Sequence, residues 1–377
     1  MARYAGVCLI VLTVGVLVAS QLVAQQPGAG DSVLRELARV GQEIRLGPGR
    51  PVVVPDTTPD SEWLERVGQL GFDADRRRVL VLNQGSSGVV EFTLEGRFIQ
   101  RFSRGAGAGP GEIGRAARFA FNEDILVILD HGNGKLVVFG RRDGSYRRDR
   151  TLPRRYSDLT LAPSGDVAYL VPGAPGHAFD VLDLASGAVE SRGSLADLPL
   201  SCDRADCTPR RELCRGCRIQ AVGDSLLVVL NRDVATLVTF DLEGTARARL
   251  PFSEVHPLLR RWREEDEPLL REARAADGPN ALTLKVYFTD IGVALDGRVV
   301  VPVVPSRRQW ERRGNELWLV DPITGRHSRY VYPRRQVGFW AVFTGREVIA
   351  FDADDDGVHL FPVPVRDGRP PGGARGP

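Results

Sequence analysis

The chain has 377 residues, with 50 Lys and Arg against 48 Asp and Glu, a formal net charge of +2. That balance excludes a nucleic-acid or anionic-membrane surface built on bulk charge. The 41 glycines and 25 prolines exceed what a helical protein needs and suit a chain with many turns, and the length is enough for a large all-β core in one domain.

The N-terminus reads as a targeting segment. Met1 to Tyr4 carries one positive charge, Arg3; Ala5 to Ala19 is almost wholly apolar; Ser20 to Gln26 is polar with small residues. This is the three-part layout of a secretory signal peptide. Residues 1–24 are expected to be that signal, cut near Ala24, with Val18-Ala19-Ser20 as a second site. Uncut, the same stretch is just long enough to anchor the protein in a membrane. The expected location is periplasmic or extracellular. Residues 25–49 read as a linker, within which Ser32 to Arg45 fits a short helix or a strand.

From Glu62 onward a repeat takes over. Four times an apolar run ends in Asn or Asp and a Phe follows nine residues later: Asn83 and Phe92, Asp130 and Phe139, Asn231 and Phe240, Asp352 and Phe361. Each pair closes two β-branched runs separated by turn formers such as His131-Gly132-Asn133-Gly134, which predicts an antiparallel hairpin. A further turn precedes each hairpin, as at Asn122-Glu123, and another follows it, as at Asp143-Gly144. The resulting unit of four strands, with a period of roughly 40 to 50 residues, is the signature of a propeller blade.

Six units are expected, so the fold class is an all-β, six-bladed β-propeller of four-stranded antiparallel blades over residues 50–365. The last unit lacks a fourth strand of its own. Because a closed ring must hide its edges, the run Pro51-Val52-Val53-Val54 is expected to complete it from the other end of the chain. Residues 366–377, rich in Pro and Gly, read as a disordered tail. Two insertions break the repeat. One is the cysteine segment 199–217. The other is a helical insertion near 254–276, where Val255, Leu258, Leu259, Trp262, Leu269, Leu270 and Ala273 give one apolar face, with a kink expected at Pro268.

The stretch 105–139 resembles the NHL-like and bacterial six-bladed β-propeller families. Gly107, Gly109, Pro110, Gly111 and Glu112 match their interblade loop, and Asp130, Asn133, Lys135 and Phe139 match their middle hairpin. The resemblance implies the fold and a family made up mostly of binding scaffolds, with some lyases and calcium-dependent lactonases among related propellers. No catalytic constellation carries over residue by residue.

Several residues are candidates for chemistry. Cys202, Cys207, Cys214 and Cys217 form an even set inside one polar loop; in an exported protein this suggests two disulfides, and a four-thiolate zinc site is the competing reading. Asp352, Asp354 and Asp356 followed by Gly357 match the start of a calcium loop, although Val363 stands where its bidentate Glu belongs. Calcium thus ranks ahead of zinc as a cofactor, and none is required. Asn83, Asp130, Asn231 and Asp352 occupy equivalent places, either as a ligand-binding ring or as strand-end caps for local backbone groups. His131 and His177 fall in loops of adjacent blades, and Trp310 among Arg307, Arg308, Arg312 and Arg313 makes a cationic aromatic loop suited to a carboxylate partner.

The sequence therefore leads to a non-enzymatic scaffold that binds a small molecule or an envelope protein. The alternative is a metal-dependent lyase or lactone hydrolase at the central channel, which would gather titratable groups there. A purely structural envelope part would instead show a wide apolar patch. No nucleic acid is expected, and a membrane only if the N-terminal segment stays uncut.

Overall fold

The computed structural model describes residues 29–53, 64, 66–85, 87–171, 176–194, 197, 217–232, 235–262, 264–265, 268, 288–303, 316–333, 337–352 and 357–364. Before the ring come α1 (Ala29–Leu37), β1 (Gln42–Arg45) and β2 (Arg50–Val53). Blade one holds β3 (Val67–Asp73), β4 (Arg78–Asn83), β5 (Gly88–Thr93) and β6 (Phe98–Phe102). Blade two holds β7 (Ala116–Phe121), β8 (Ile125–Asp130), β9 (Lys135–Gly140) and β10 (Tyr146–Thr151). Blade three holds β11 (Asp158–Leu161), β12 (Val167–Val171), β13 (His177–Asp183) and β14 (Val189–Ser194). Blade four holds β15 (Cys217–Val222), β16 (Leu226–Asn231), β17 (Thr236–Asp241) and β18 (Ala246–Pro251), followed by the one-turn helix α2 (Phe252–Val255). Blade five holds β19 (Gly292–Val293), β20 (Val299–Val303), β21 (Glu316–Val320) and β22 (His327–Val331). Blade six holds β23 (Val337–Phe343), β24 (Glu347–Asp352) and β25 (Gly357–Pro362).

The blades stand face to face, which explains why their middle strands read as continuous apolar runs. Successive side chains of a strand point to opposite faces. In β8, Leu126 and Ile128 pack toward blade one with Leu80, Leu82 and Phe102, while Val127 and Leu129 pack toward blade three with Leu159 and Leu170. Both faces are covered, so both need apolar residues. The innermost strands β3, β7, β11, β15, β19 and β23 neighbour one another in turn, and β23 returns against β3. The ring is closed.

The closing strand is the expected one. β2 pairs antiparallel with β25, Arg50 opposite Leu360 and Pro51 opposite His359. It lies outermost in its sheet, where a proline without an N–H is tolerated. Val52, 3% exposed, joins Val79, Val81, Ile349 and Val358 in the core that seals blade six to blade one.

Two features refine the sequence expectations. Residues 25–49, read as a linker in which Ser32 to Arg45 fits a short helix or a strand, hold both α1 and β1, and β1 adds a parallel fifth strand to β22. Leu37 at the end of α1 is fully buried with Leu250, Phe252 and Trp318, so this segment packs under blades four and five. In the helical insertion, a break comes at His256, whose backbone is extended (φ −71°, ψ 125°); the residues flanking Pro268, where a kink is expected, lie outside the described ones. The cause is Pro257, which disfavours helical geometry in the residue before it. Beyond it, Leu258, Leu259 and Trp262 pack on the same core, as the apolar face requires; Leu269, Leu270 and Ala273 lie outside the described residues.

Candidate binding site at the channel mouth

The register sets four of the expected residues at one end of the ring. Asn83 lies opposite Val67, Asp130 opposite Ala116, Asn231 opposite Cys217 and Asp352 opposite Val337, so each ends its blade's second strand beside the start of the innermost strand. Asp130 shows what such a position does. Its carboxylate accepts from the backbone N–H groups of Gly114 at 3.0 Å, Arg115 at 2.8 Å and Gly132 at 2.9 Å, and from the Asn133 amide at 2.6 Å. Asn133 in turn donates to the Gly107 carbonyl at 2.7 Å. Burial pushes this carboxyl up, but the bonds from Arg115, Gly114 and Asn133 outweigh it and hold it below the usual carboxylate range. The loop that carries the family resemblance is thus tied to the hairpin through Asp130. Gly111 in that loop has φ +76°, and a Cβ there would sit 2.9 Å from the Tyr146 ring, which is why glycine is needed.

His131 is half-buried and its Nε2 lies 2.6 Å from the Tyr156 carbonyl of the next blade; burial holds its pKa below the ordinary histidine value. His177 opens β13 and is exposed. Asp352 ends β24. Arg307, Trp310, Asp354 and Asp356 lie outside the described residues, as do Cys202, Cys207 and Cys214. The expected framework of two disulfides is corrected here: no bridged pair of cysteines is present among the described residues. They include only Cys217 of the four, fully buried at the start of β15, and the bonding partner of its sulfur lies outside them.

The structure adds a constellation that the sequence reading missed. In four successive blades a charged residue in or just ahead of the innermost strand comes before a buried apolar one: Arg118 before Phe119, Asp158 before Leu159, Arg218 before Ile219 and Asp290 before Ile291. The signs alternate. Arg118 Nε lies 3.4 Å from Asp158 Oδ1, Arg118 Nη1 lies 3.4 Å from Asp290 Oδ2, and Arg218 Nε lies 3.4 Å from Asp290 Oδ1. Arg118, Asp158 and Arg218 are all under 9% exposed. In a ring of six, blades two and five face each other, so the Arg118–Asp290 pair crosses the channel and forms a charged floor.

Local geometry aims these groups inward. The ladder between β7 and β8 shifts register between Ala116 and Arg118, and that between β3 and β4 between Val67 and Gln69; such irregularities re-aim side chains. Neighbouring innermost strands belong to different sheets, so side chains serve their backbone groups. Gln69 accepts from Phe119 N–H at 2.9 Å and donates to the Phe119 carbonyl at 3.0 Å, Asp158 accepts from Ile219 N–H at 2.9 Å, and Thr160 accepts from Ala221 N–H at 3.2 Å.

The electrostatics follow from burial. Asp158 is pushed above its ordinary value by desolvation and, against the pull of Arg118 and Arg218, by the Asp290 carboxylate. Arg218 is held down to about 9 by desolvation and by the Arg118 and Arg232 guanidiniums; at neutral pH it stays charged. The site can therefore hold and orient a charged group in a poorly solvated place.

A six-bladed β-propeller family model matches residues 53–174, and a search of curated proteins returns no match. Among solved structures, a protein of Bacteroides fragilis described as exported is 14% identical with a TM-score of 0.51, covering 86% of this chain and 99% of its own. A protein of unknown function from Bacteroides thetaiotaomicron is 10% identical with a TM-score of 0.50, covering 84% and 76%. These likenesses establish the fold: the chain is an all-β, six-bladed propeller closed by its N-terminal strand.

Proposed function

We propose that this protein is an exported, non-enzymatic binding scaffold whose ligand enters the funnel above the charged floor. The observation that supports this reading is the Arg118, Asp158, Arg218 and Asp290 cluster, contributed by four blades at the end of the ring where the innermost strands begin. The blades themselves are joined by apolar cores, so this charge is not required for their packing, and replacing buried ion pairs by apolar groups is often neutral or stabilising. The resemblance at 105–139 to NHL-like propellers, mostly scaffolds, agrees with this reading. Export rests on the three-part N-terminal segment and agrees with the exported description of the Bacteroides fragilis protein.

The test is a thermal-shift and calorimetric screen of small metabolites and envelope glycans on the purified protein, repeated on the Arg118→Leu, Asp290→Leu double variant. A ligand that binds the wild type and not the correctly folded variant supports the scaffold. Turnover of a bound ligand supports instead the metal-dependent lyase or lactone-hydrolase reading.

A further inference from the structure

We propose that the cleft between blades two and three, on the face of the ring opposite the charged floor, is a second binding site and takes a short zwitterionic peptide with an aliphatic middle. It shares no residue with the funnel floor.

The place of the cleft follows from the register. Ala116 opens β7 beside Asp130, and Phe121 ends it opposite Leu126, so the turn Asn122 to Asp124 lies at the far end of blade two from the floor. The turn Ser164 to Asp166, between β11 and β12, is its counterpart in blade three. These two turns, β10 and the turn after β13 line a space of about 660 Å³, within the roughly 300 to 1,000 Å³ of small-ligand sites.

The cleft is braced at both margins. Asn122 Oδ1 accepts from the N–H groups of Asp124 at 3.0 Å and Ile125 at 2.9 Å, and its amide donates to the Pro163 carbonyl of blade three at 3.3 Å. Gly165 comes so close that a Cβ there would run into the same amide. At the other margin Arg150 Nε donates to the Leu184 carbonyl at 2.8 Å and its Nη2 to that of Ala185, while Arg148 Nη1 donates to the Leu184 carbonyl at 3.3 Å. Two blades tied in this way hold the gap open, and a preformed site loses less conformational freedom on binding.

The lining selects the ligand. Val138 and Leu184 are buried and Ile125 is half-buried, which gives an aliphatic floor. Above it stand three guanidiniums, Arg142, Arg147 and Arg148, and three carboxylates, Asp124, Asp143 and Asp166. The sum is neutral, which disfavours a polyanion or a polycation. Arg147 is paired with Asp143 at 3.1 Å. Arg142 belongs to blade two and Asp166 to blade three, and no ion pair holds either of them among the described residues; the Asp166 carboxylate accepts only from the Ser164 hydroxyl. The two signs therefore remain available on opposite walls. A carboxylate at the Arg142 fork, an ammonium at Asp166 and an aliphatic middle over Val138 and Leu184 match each part of the lining.

The experiment is isothermal titration of the full chain with the tripeptide Ala-Leu-Ala in three forms, free-ended, N-acetylated and C-amidated, and with D-glucose as a neutral control. It is run at low ionic strength on the wild type, Arg142→Gln and Asp166→Asn. The free-ended peptide is expected to bind, and either cap to weaken it about three- to tenfold, since both charges sit at an exposed rim. Arg142→Gln should abolish the difference between the free carboxylate and the amide and keep the difference made by the acetyl group; Asp166→Asn should do the reverse. Damage to the fold weakens all three forms alike and cannot give this crossed pattern. No binding of the free-ended peptide in the millimolar range, equal binding of glucose, variants that weaken all three forms equally, or variants that leave the pattern unchanged overturn the proposal. The funnel is judged separately, by the Arg118→Leu, Asp290→Leu variant at the other end of the ring.

Discussion

Arg118 Nη1 and Asp290 Oδ2 lie 3.4 Å apart although 172 residues separate them, and they come from opposite blades of the ring. The pair closes the central channel with charge where a propeller of this size could leave water. Arg118→Leu leaves the buried Asp158 and the half-buried Asp290 with Arg218 as the cation between them. Breaking a buried pair costs about 3 to 5 kcal/mol, so urea denaturation should show a loss of that order, and the Arg118→Leu, Asp290→Leu double variant should recover part of it.

Asp130→Ala removes acceptors for the N–H groups of Gly114, Arg115 and Gly132. Gly114, Arg115 and Gly132 are exposed residues, so water replaces part of the loss and each bond is worth about 1 kcal/mol. The expected result is a drop of several degrees or more in Tm, with Asp130→Asn intermediate because its amide oxygen still accepts. Amide hydrogen exchange should place the first loosening at 105–115.

His256 sets a pH limit. It is fully buried, its ring centroid lies 4.4 Å from that of Trp318 and 5.1 Å from that of His327, and its ring nitrogens have no hydrogen-bond partner among the described residues. Burial, with the neighbouring His327 and Arg329, lowers its pKa to about 3. The unfolded imidazole takes a proton near pH 6.5, so between about 6.5 and 3 the unfolded state binds more protons and stability falls as the pH falls. The loss from His256 should reach about 2 kcal/mol at pH 5. Denaturation midpoints measured from pH 8 to pH 4 should slope downward, and His256→Phe should flatten the slope.

Val52→Asp tests the closure. The side chain sits in the seam between blades six and one, and a carboxylate there would be buried without a partner. We expect a loss of several kcal/mol, a Tm lowered by well over 5 °C, and light scattering that rises with the exposed β25 edge.

The propeller was legible because it repeats. Asn83 to Phe92, Asp130 to Phe139, Asn231 to Phe240 and Asp352 to Phe361 mark one hairpin four times, and a strand, a turn and a nine-residue spacing are all local properties. Even the closing strand could be inferred, because the last unit was one strand short. The floor of the channel was not read out. Its signal was present, a lone charge before an apolar residue at Arg118, Asp158, Arg218 and Asp290, but each charge alone looks like an ordinary solvated residue beside a strand. The acidic turn after Asp352 and the histidines drew attention because their residue types are associated with chemistry, whereas His131 proves to bond a neighbouring backbone carbonyl.

The amino-acid order alone determined that the chain forms antiparallel hairpins, how many, and that its start must meet its end, since turn formers and alternating apolar runs act over a few residues. Only the tertiary structure decided that β1 would lie parallel on β22 and which charges would share a buried space. Those outcomes depend on ring closure, which brings Arg118 to Asp290 across the channel and buries the guanidinium; no local stretch of sequence carries that distance.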